Sequence, residues 1–247
     1  MARRLVALGA SNLTRGFGTL VATARSRWGP DTEILAALGH GRSFGQESYF
    51  IYRALPGILE CGIWRELERL PPAPTRAIIT DVGNDILYGV EPDRILEWVG
   101  RAIERLRPAA EEIVLTGLPL ESAARLTRGR YLFFRTLFFP RNRMPLWRVL
   151  EAAGELGEGV ERVARETGAR FFKPPLEWYG RDPIHVLLHH WPAAWLELTG
   201  AGPAIEPVPE SGLLERIRLY LRPPQRQRIL GHERHTPQTG RDGIKLY

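Results

Sequence analysis

Four short polar blocks of the chain hold residue types that could act together on a carbonyl group. The first is Gly9-Ala10-Ser11-Asn12, in which Ser11 follows a short apolar run and precedes a helical stretch. A serine hydroxyl at such a junction can point into a cleft as a nucleophile, and its N–H can face a bound anion. Taken alone, Ser11 is as well explained as a helix N-cap.

The second and third blocks could supply hydrogen-bond donors. Residues 39–45 read Gly-His-Gly-Arg-Ser-Phe-Gly, and glycine lets the backbone approach a ligand closely enough for an N–H to bind an oxyanion. Residues 82–85 read Val-Gly-Asn-Asp, and the amide of Asn84 could donate to the same developing negative charge. Each block taken alone is equally compatible with a simple turn.

The fourth block is Asp182-Pro183-Ile184-His185. An aspartate three residues before a histidine can bind the second ring nitrogen, which orients the imidazole and stabilises its protonated form. The alternative is that Asp182 caps a final helix, which the sequence predicts from about residue 185 to residue 198.

These blocks are separated by alternating strand and helix patterns. Apolar runs at 5–9, 33–38, 76–82 and 112–116, and a start at residue 170, predict five strands, while 92–106 and 147–167 have helical periodicity. This alternation predicts an α/β fold, a three-layer α/β/α sandwich whose flavodoxin-like parallel sheet has about five strands and helices on both faces. Ligands of such sheets bind at the carboxyl ends of the strands, where all four blocks fall.

In order and position, the four blocks together resemble those of the SGNH (GDSL-like) hydrolase superfamily, over roughly residues 4–198. The resemblance implies a serine esterase that hydrolyses an acyl or acetyl ester through an acyl-serine intermediate, with no cofactor and no metal. Ser11 would be the nucleophile, His185 the general base and Asp182 its orienting partner. The N–H of Ser11, the N–H of Gly41 (or of Gly39) and the side chain of Asn84 would form the oxyanion hole. The first block departs from the family pattern, because Ala10 stands where an aspartate is usual.

Three other interpretations remain open at this stage. Residues 41–45 match Gly-x-Ser-x-Gly, the nucleophile elbow of α/β-hydrolases, with Ser43 as nucleophile, although only about 40 residues precede it. His185 and His189 have the four-residue spacing of a two-histidine zinc face, although Val186 stands where a zincin needs glutamate. The third interpretation is a catalytically inactive SGNH-like protein that binds an anionic ligand or a membrane surface.

The net charge of +6 is concentrated in two segments. Residues 121–150 contain seven arginines and one acid, Glu121, interleaved with aromatic residues, and residues 201–247 are also basic, so the remaining body is mildly acidic. We therefore divide the chain into a hydrolase domain at 1–200 with an Arg/aromatic-rich insertion at 121–150, and a basic extension at 201–247. The insertion is expected to shape access for a small-molecule, lipid or carbohydrate ester, or to contact an anionic substrate or membrane surface; nucleic acid is the least favoured partner.

The remaining features predict the cellular location of the protein and the structure of its C-terminal segment. A single cysteine, Cys61, excludes an internal disulfide framework, and no targeting or membrane-spanning segment is recognisable, so a cytoplasmic location is expected. After Gly200, residues Leu213, Leu214, Ile217 and Leu221 predict one short amphipathic helix, followed by a loosely held end.

Overall fold

The computed structural model describes residues 3–140, 142–200, 212–240 and 242–247, and its centre is a six-stranded parallel sheet. The strands lie in the order β10-β2-β1-β5-β6-β7. Every residue of β1 is buried, because helices cover both faces of the sheet. The strands are β1 (Arg4–Leu8), β2 (Glu33–Ala37), β5 (Thr75–Ile79), β6 (Glu112–Thr116), β7 (Arg170–Phe172) and β10 (Ile244–Leu246).

Helices form a layer on each side of this sheet. Residues of α2, α3 and α6 pack on the face that presents Val6 and Leu8, and residues of α1, α7 and α8 pack on the face that presents Leu5 and Ala7. The predicted three-layer α/β/α class is therefore confirmed. The helices are α1 (Ser11–Trp28), α2 (Ile63–Arg69), α3 (Pro92–Leu106), α4 (Leu120–Ala123), α5 (Arg128–Phe138), α6 (Leu146–Thr167), α7 (Trp191–Leu198) and α8 (Leu213–Leu221).

A second, antiparallel sheet of four short strands was not predicted. It pairs β3 (Ser48–Phe50) and β4 (Arg53–Leu55) with β8 (Arg226–Ile229) and β9 (His232–His235), in the order β3-β4-β8-β9. The second sheet joins the loop after β2 to the C-terminal part of the chain. Its two turns meet, since the N–H of Leu230 donates to the carbonyl of Tyr52 over 3.0 Å.

The structure corrects the expectation of a loosely held end. Residues 244–246 form β10, which pairs in parallel with β2 and makes the sheet one strand wider than expected. The main-chain oxygen of the following residue, Tyr247, accepts a hydrogen bond from the buried guanidinium of Arg42. A polar, basic segment thus ends in a buried strand because its alternate apolar residues, Ile244 and Leu246, complete the core.

The last predicted helix begins later than expected. Residues 179 and 186 form an isolated antiparallel bridge, and the N–H of Leu187 donates to the carbonyl of Trp178 over 2.8 Å, so this stretch is a loop. A short 3₁₀ turn, Leu188–His190, then leads into α7. Asp182 therefore does not cap a helix. Among the described helices, none is long and apolar enough to cross a membrane.

Candidate active site

Three of the predicted side chains meet at the carboxyl end of the parallel sheet. The Oγ of Ser11 lies 2.9 Å from Nε2 of His185, and Nδ1 of the same ring lies 2.7 Å from Oδ2 of Asp182. Ser11 is the first residue of α1, directly after β1, whereas the other two residues come from the loop before α7. The Ser11 side chain makes no cap, since α1 begins after Ala10 without a side-chain capping bond. Both ring nitrogens of the histidine are engaged.

Asn12 fixes the loop that holds His185. Its Oδ1 accepts the N–H of Val186 at 2.9 Å, and its Nδ2 donates to the carbonyl of Ile184 at 2.9 Å. These two groups flank the histidine on either side, so a single amide sets the backbone orientation of that residue. Nδ2 also donates to the Asp81 carboxylate over 2.8 Å.

Asp81 accepts hydrogen bonds from the turn around Ser11, where the alanine side chain of Ala10 can accept none. Its Oδ2 accepts the N–H of Ala10 at 2.8 Å and the N–H of Leu13 at 3.1 Å, which satisfies amides at the start of α1. Asp81 follows β5 and has a left-handed backbone, with φ of 61°. The turn that presents Ser11 is therefore stabilised from a neighbouring strand rather than from within its own block.

Arg15 adds a positive charge beside the aspartate of the fourth block. One guanidinium nitrogen lies 3.4 Å from Oδ2 of Asp182. Burial alone would raise the pKa of Asp182, but the hydrogen bond and charge of the His185 ring, the N–H of Ile184 and, to the smallest extent, the charge of Arg15 outweigh it, so the net pKa is lowered. Asp182 is thus held as a carboxylate that can orient the imidazole.

The residues of the predicted donors line one cavity. Gly41 and Asn84 line the cavity that contains Ser11, and Nδ2 of Asn84 is buried without a hydrogen-bond partner among the described residues. Such an orphaned buried donor is unusual unless a ligand completes it. Gly41 has φ of 63°, a conformation that favours glycine, and the loop is fixed by a 2.7 Å bond from the Tyr88 hydroxyl to the Gly41 carbonyl. Gly39 instead packs tightly against Leu55.

Ser43, the alternative nucleophile, is fully buried in a separate hydrogen-bond network. Its hydroxyl donates to Asp85, and its oxygen accepts the N–H groups of Gly45 and Gln46 at 3.2 and 3.1 Å. Burial raises the pKa of Asp85 to about 6. The Gly-x-Ser-x-Gly pattern therefore marks a structural turn, and the hydrogen bonds of the Ser43 hydroxyl in the described structure involve no histidine.

The two-histidine metal interpretation also conflicts with the geometry. His185 lies in the loop before α7 and binds Ser11 and Asp182, whereas His189 lies in the 3₁₀ turn with its ring centroid 4.1 Å from that of His190. The two histidines therefore share no helix face. In the described ranges, no group of three or more His, Cys, Asp or Glu side chains is arranged to hold a metal ion.

A deep, mostly apolar cavity of about 580 Å³ opens beside Ser11. Its walls come from the loops after β1, β2, β5 and β6, from α5 and α6 and from the residues around α7. Side chains from the Arg/aromatic-rich insertion, Tyr131, Arg135 and Phe138, form part of the wall. A cavity of this size and character suits an apolar small-molecule group.

A column of aromatic rings borders the mouth of this cavity. Phe138 of α5 stacks on Phe50 of β3 with ring centroids 5.0 Å apart, and Phe50 stacks on His40 at 5.2 Å. Nε2 of His40 lies 2.9 Å from the hydroxyl of Tyr220 in α8. Burial, with the nearby charge of Arg53, lowers the pKa of His40 to about 4, so this ring is neutral near pH 7.

Comparison with solved structures identifies the fold. The aryl esterase of M. smegmatis is 15% identical, with 80% of this chain and 98% of that one covered and a TM-score of 0.53; its inhibitor-bound form gives 0.54. A carbohydrate acetylesterase family member from Sinorhizobium meliloti is 14% identical over 78% of this chain and 93% of that one, with a TM-score of 0.51. No family profile and no curated protein sequence matches the chain. The chain has the fold of the SGNH hydrolases, as the sequence predicted.

Three residues of the site were not predicted from the sequence: Asn12, Asp81 and Arg15. Asn12 and Asp81 could have been considered because each is polar and directly follows or adjoins a strand end, where polar blocks were sought. Their partners lie 68 to 174 residues away in sequence, so spacing alone gave no signal.

Proposed function

We propose that the chain hydrolyses carboxylic esters through an acyl-Ser11 intermediate. The observation that carries the proposal is the continuous hydrogen-bond chain from the Ser11 hydroxyl through His185 to Asp182, at 2.9 and 2.7 Å. A serine hydroxyl is a weak nucleophile until a neighbouring base takes its proton, and this arrangement supplies that base and its orienting carboxylate.

The proposed reaction has two halves. In the first, Nε2 of His185 takes the proton of Ser11 as Oγ bonds to the carbonyl carbon, and the protonated ring then gives that proton to the departing alkoxide. In the second, His185 takes a proton from water, the hydroxide attacks the acyl-serine, and the proton returns to Oγ as the carboxylic acid leaves. Asp182 keeps its negative charge and stabilises the imidazolium in both halves.

The oxyanion would bind to the N–H of Ser11, the N–H of Gly41 and Nδ2 of Asn84. The unpartnered, buried Nδ2 supports this assignment, because an oxyanion would supply the missing acceptor. Gly41 lines the same cavity, and its left-handed backbone lets the chain pass close to a bound substrate.

The apolar cavity favours an ester whose acyl group extends well beyond acetyl. Its walls from α5 and α6 contribute Tyr131, Phe138 and Ala153, and burial of each further methylene there would contribute about 0.8 kcal/mol. The esterases of similar fold include an aryl esterase and a carbohydrate acetylesterase family member, so fold does not select among acyl groups.

Turnover of an ester series tests the proposal. We expect the chain to hydrolyse p-nitrophenyl esters from acetyl to decanoyl, with kcat/KM highest for a medium or long acyl group, and Ser11→Ala to abolish turnover throughout. Ala153→Phe, which fills part of the cavity at the wall formed by α6, should lower kcat/KM for octanoyl relative to acetyl. If no ester is turned over in a serine-dependent manner, the chain is a non-catalytic binding protein of this fold.

A further inference from the structure

Helix α8 exposes its apolar face instead of burying it. Leu213, Leu214, Ile217, Tyr220 and Leu221 fall within about 120° of the helix circumference, and four of the five are at least half exposed. Only Leu219, on the opposite side, is buried against the core. A soluble helix normally turns such a stripe inward. Here Tyr220 contacts the His40 ring at the cavity mouth, and the four aliphatic side chains are exposed.

Helix α5 repeats the pattern. Tyr131, Arg135 and Phe138 face the cavity, while Leu132, Phe133 and Leu137 lie on its outer side and are exposed. Exposed aliphatic side chains on a second side of a helix, here Leu132 and Leu137, are typical of a surface that another molecule covers. The turns of the second sheet add three exposed apolar residues that lie together, Ile51, Tyr52 and Leu230.

The ring column joins these exposed elements into one surface around the cavity mouth. The contacts run from Phe138 of α5 to Phe50 of β3, then to His40, and from His40 to Tyr220 of α8. Each of these three residues is adjacent in sequence to an exposed apolar neighbour, namely Leu137, Ile51 and Leu221. We call this combined surface, the outer sides of α5 and α8 and the two turns, the mouth surface.

The segments that form the mouth surface are basic. Residues 121–150 have seven arginines and one acid, and residues 212–235, which contain α8, β8 and β9, have six arginines and two glutamates. Four of these six arginines form ion pairs with Asp242, Glu233 or Glu47, and the arginines of the second segment still outnumber these three carboxylates and Glu215 together. The rest of the chain is net acidic. Arginines beside an exposed apolar stripe favour binding to a surface with negatively charged groups above a hydrocarbon layer.

We propose that the mouth surface docks the protein on a bilayer that contains anionic phospholipid, with the cavity opening facing the lipid. Leucine and isoleucine dominate its exposed apolar residues, which suits insertion at the acyl boundary better than the aromatic stacking that single-stranded nucleic acid requires. This docking is independent of the ester chemistry proposed above, because none of the docking residues belongs to the Ser11–His185–Asp182 chain.

Vesicle flotation of the full chain tests the proposal. We expect it to float with phosphatidylcholine vesicles that contain 30% phosphatidylglycerol at about 100 mM salt, and far less with phosphatidylcholine alone. Leu214→Gln/Leu221→Gln should reduce the bound fraction at least about tenfold. Arg128→Glu on α5 should also reduce it, whereas the matched control Arg101→Glu should not. Arg101 lies on the outer side of α3, where no large apolar residue is exposed.

Circular dichroism and Ser11 labelling by a fluorophosphonate are run on each variant, so that a folding defect is separated from lost docking. Three results would overturn the proposal. The first is a bound fraction that does not change with the phosphatidylglycerol content of the vesicles or with the α8 substitutions. The second is binding of single-stranded RNA that is as strong as vesicle binding and is lost in the same variants. The third is a stable dimer in the absence of lipid that Leu214→Gln/Leu221→Gln dissociates, because a second copy would then cover the surface.

Discussion

The buried amide of Asn84 lines the cavity beside Ser11 and is placed to bind a ligand. Its Nδ2 has no partner in the described structure, and an oxyanion would provide one. We predict that Asn84→Ala lowers kcat on the best ester about 10²- to 10³-fold with little change in KM, because the lost donor acts mainly in the transition state. Steady-state kinetics on a folded variant check this, and an unchanged kcat would remove Asn84 from the oxyanion hole.

Asn12 acts on catalysis through the position of His185. It binds the peptide groups on both sides of that histidine, so Asn12→Ala should loosen the ring without removing any reacting group. We predict a fall in kcat of about 10- to 100-fold at nearly constant KM, together with slower fluorophosphonate labelling of Ser11. A variant that loses thermal stability but keeps the labelling rate of the wild type would show that Asn12 has only a structural role.

At the scale of elements, α1 and α7 approach closely at Gly16. A Cβ there would lie 2.7 Å from the Trp191 ring, and Nε1 of Trp195 donates to the Gly16 carbonyl over 2.8 Å. We predict that Gly16→Ala lowers the free energy of unfolding by about 1–3 kcal/mol. The control is Gly100→Ala in α3, where nothing lies within 4 Å of the new methyl and stability should rise by up to about 1 kcal/mol. Urea titrations of the two variants check the contrast.

The sequence predicted the elements whose signal is local. All five expected parallel strands and the helix at Pro92–Leu106 appear within a few residues of their predicted bounds, because a strand buried on both faces is continuously apolar and an amphipathic helix repeats every 3.6 residues. Three of the four site blocks begin within about three residues of the end of a strand, whereas Asp182 comes ten residues after the end of β7. The second sheet and β10 have strands of three or four residues whose partners lie far away in sequence, so no local pattern marked them.

The start of α7 shows how tertiary contacts override a helical pattern. Residues 179 and 186 pair as an antiparallel bridge, and Asn12 holds the backbone beside His185. These contacts keep the histidine in a loop that reaches Ser11. In a helix that began at residue 185, the helical hydrogen bonds would set the orientation of the His185 ring. In the structure, the contacts of the loop with Asn12 and with residue 179 set it instead.

At the scale of the whole molecule, His40 makes stability depend on pH. Its pKa falls from an ordinary 6.5 to about 4 on folding, so the unfolded chain binds a proton between these values and the folded chain does not. This contribution is fully present above pH 6.5 and is lost as pH falls toward 4, by on the order of 2–3 kcal/mol. We predict that wild type loses more stability than His40→Gln between pH 6.5 and 4 in denaturant titrations. Parallel curves for the two proteins would contradict the burial of a neutral His40.

Asp85 contributes to the pH dependence of stability with the opposite sign. Its pKa is raised to about 6, so the folded protein keeps a proton that the unfolded chain releases near pH 3.8. Its contribution is present below pH 3.8 and is lost as pH rises to about 6. The difference in unfolding free energy between wild type and Asp85→Asn should therefore decrease across this interval, and a rise would show that Asp85 is folded as a carboxylate.

Charge at the whole-molecule scale is divided between a net acidic body and two basic segments near the cavity mouth. The fold places the insertion at 121–150 and the segment 212–235 around the same opening, which the sequence could not reveal because about 60 residues of chain separate them. The positive charge is therefore positioned to act on whatever approaches the cavity. Beside the catalytic groups themselves, Arg15 adds a further positive charge at Asp182.

The most direct test of the central claim is the position of the covalent adduct formed by a fluorophosphonate. We predict one adduct per chain by intact mass, located on Ser11 by peptide mapping, formed equally well by Ser43→Ala and not at all by Ser11→Ala. An adduct on Ser43, or undiminished labelling of Ser11→Ala, would contradict the assignment of Ser11 as the nucleophile.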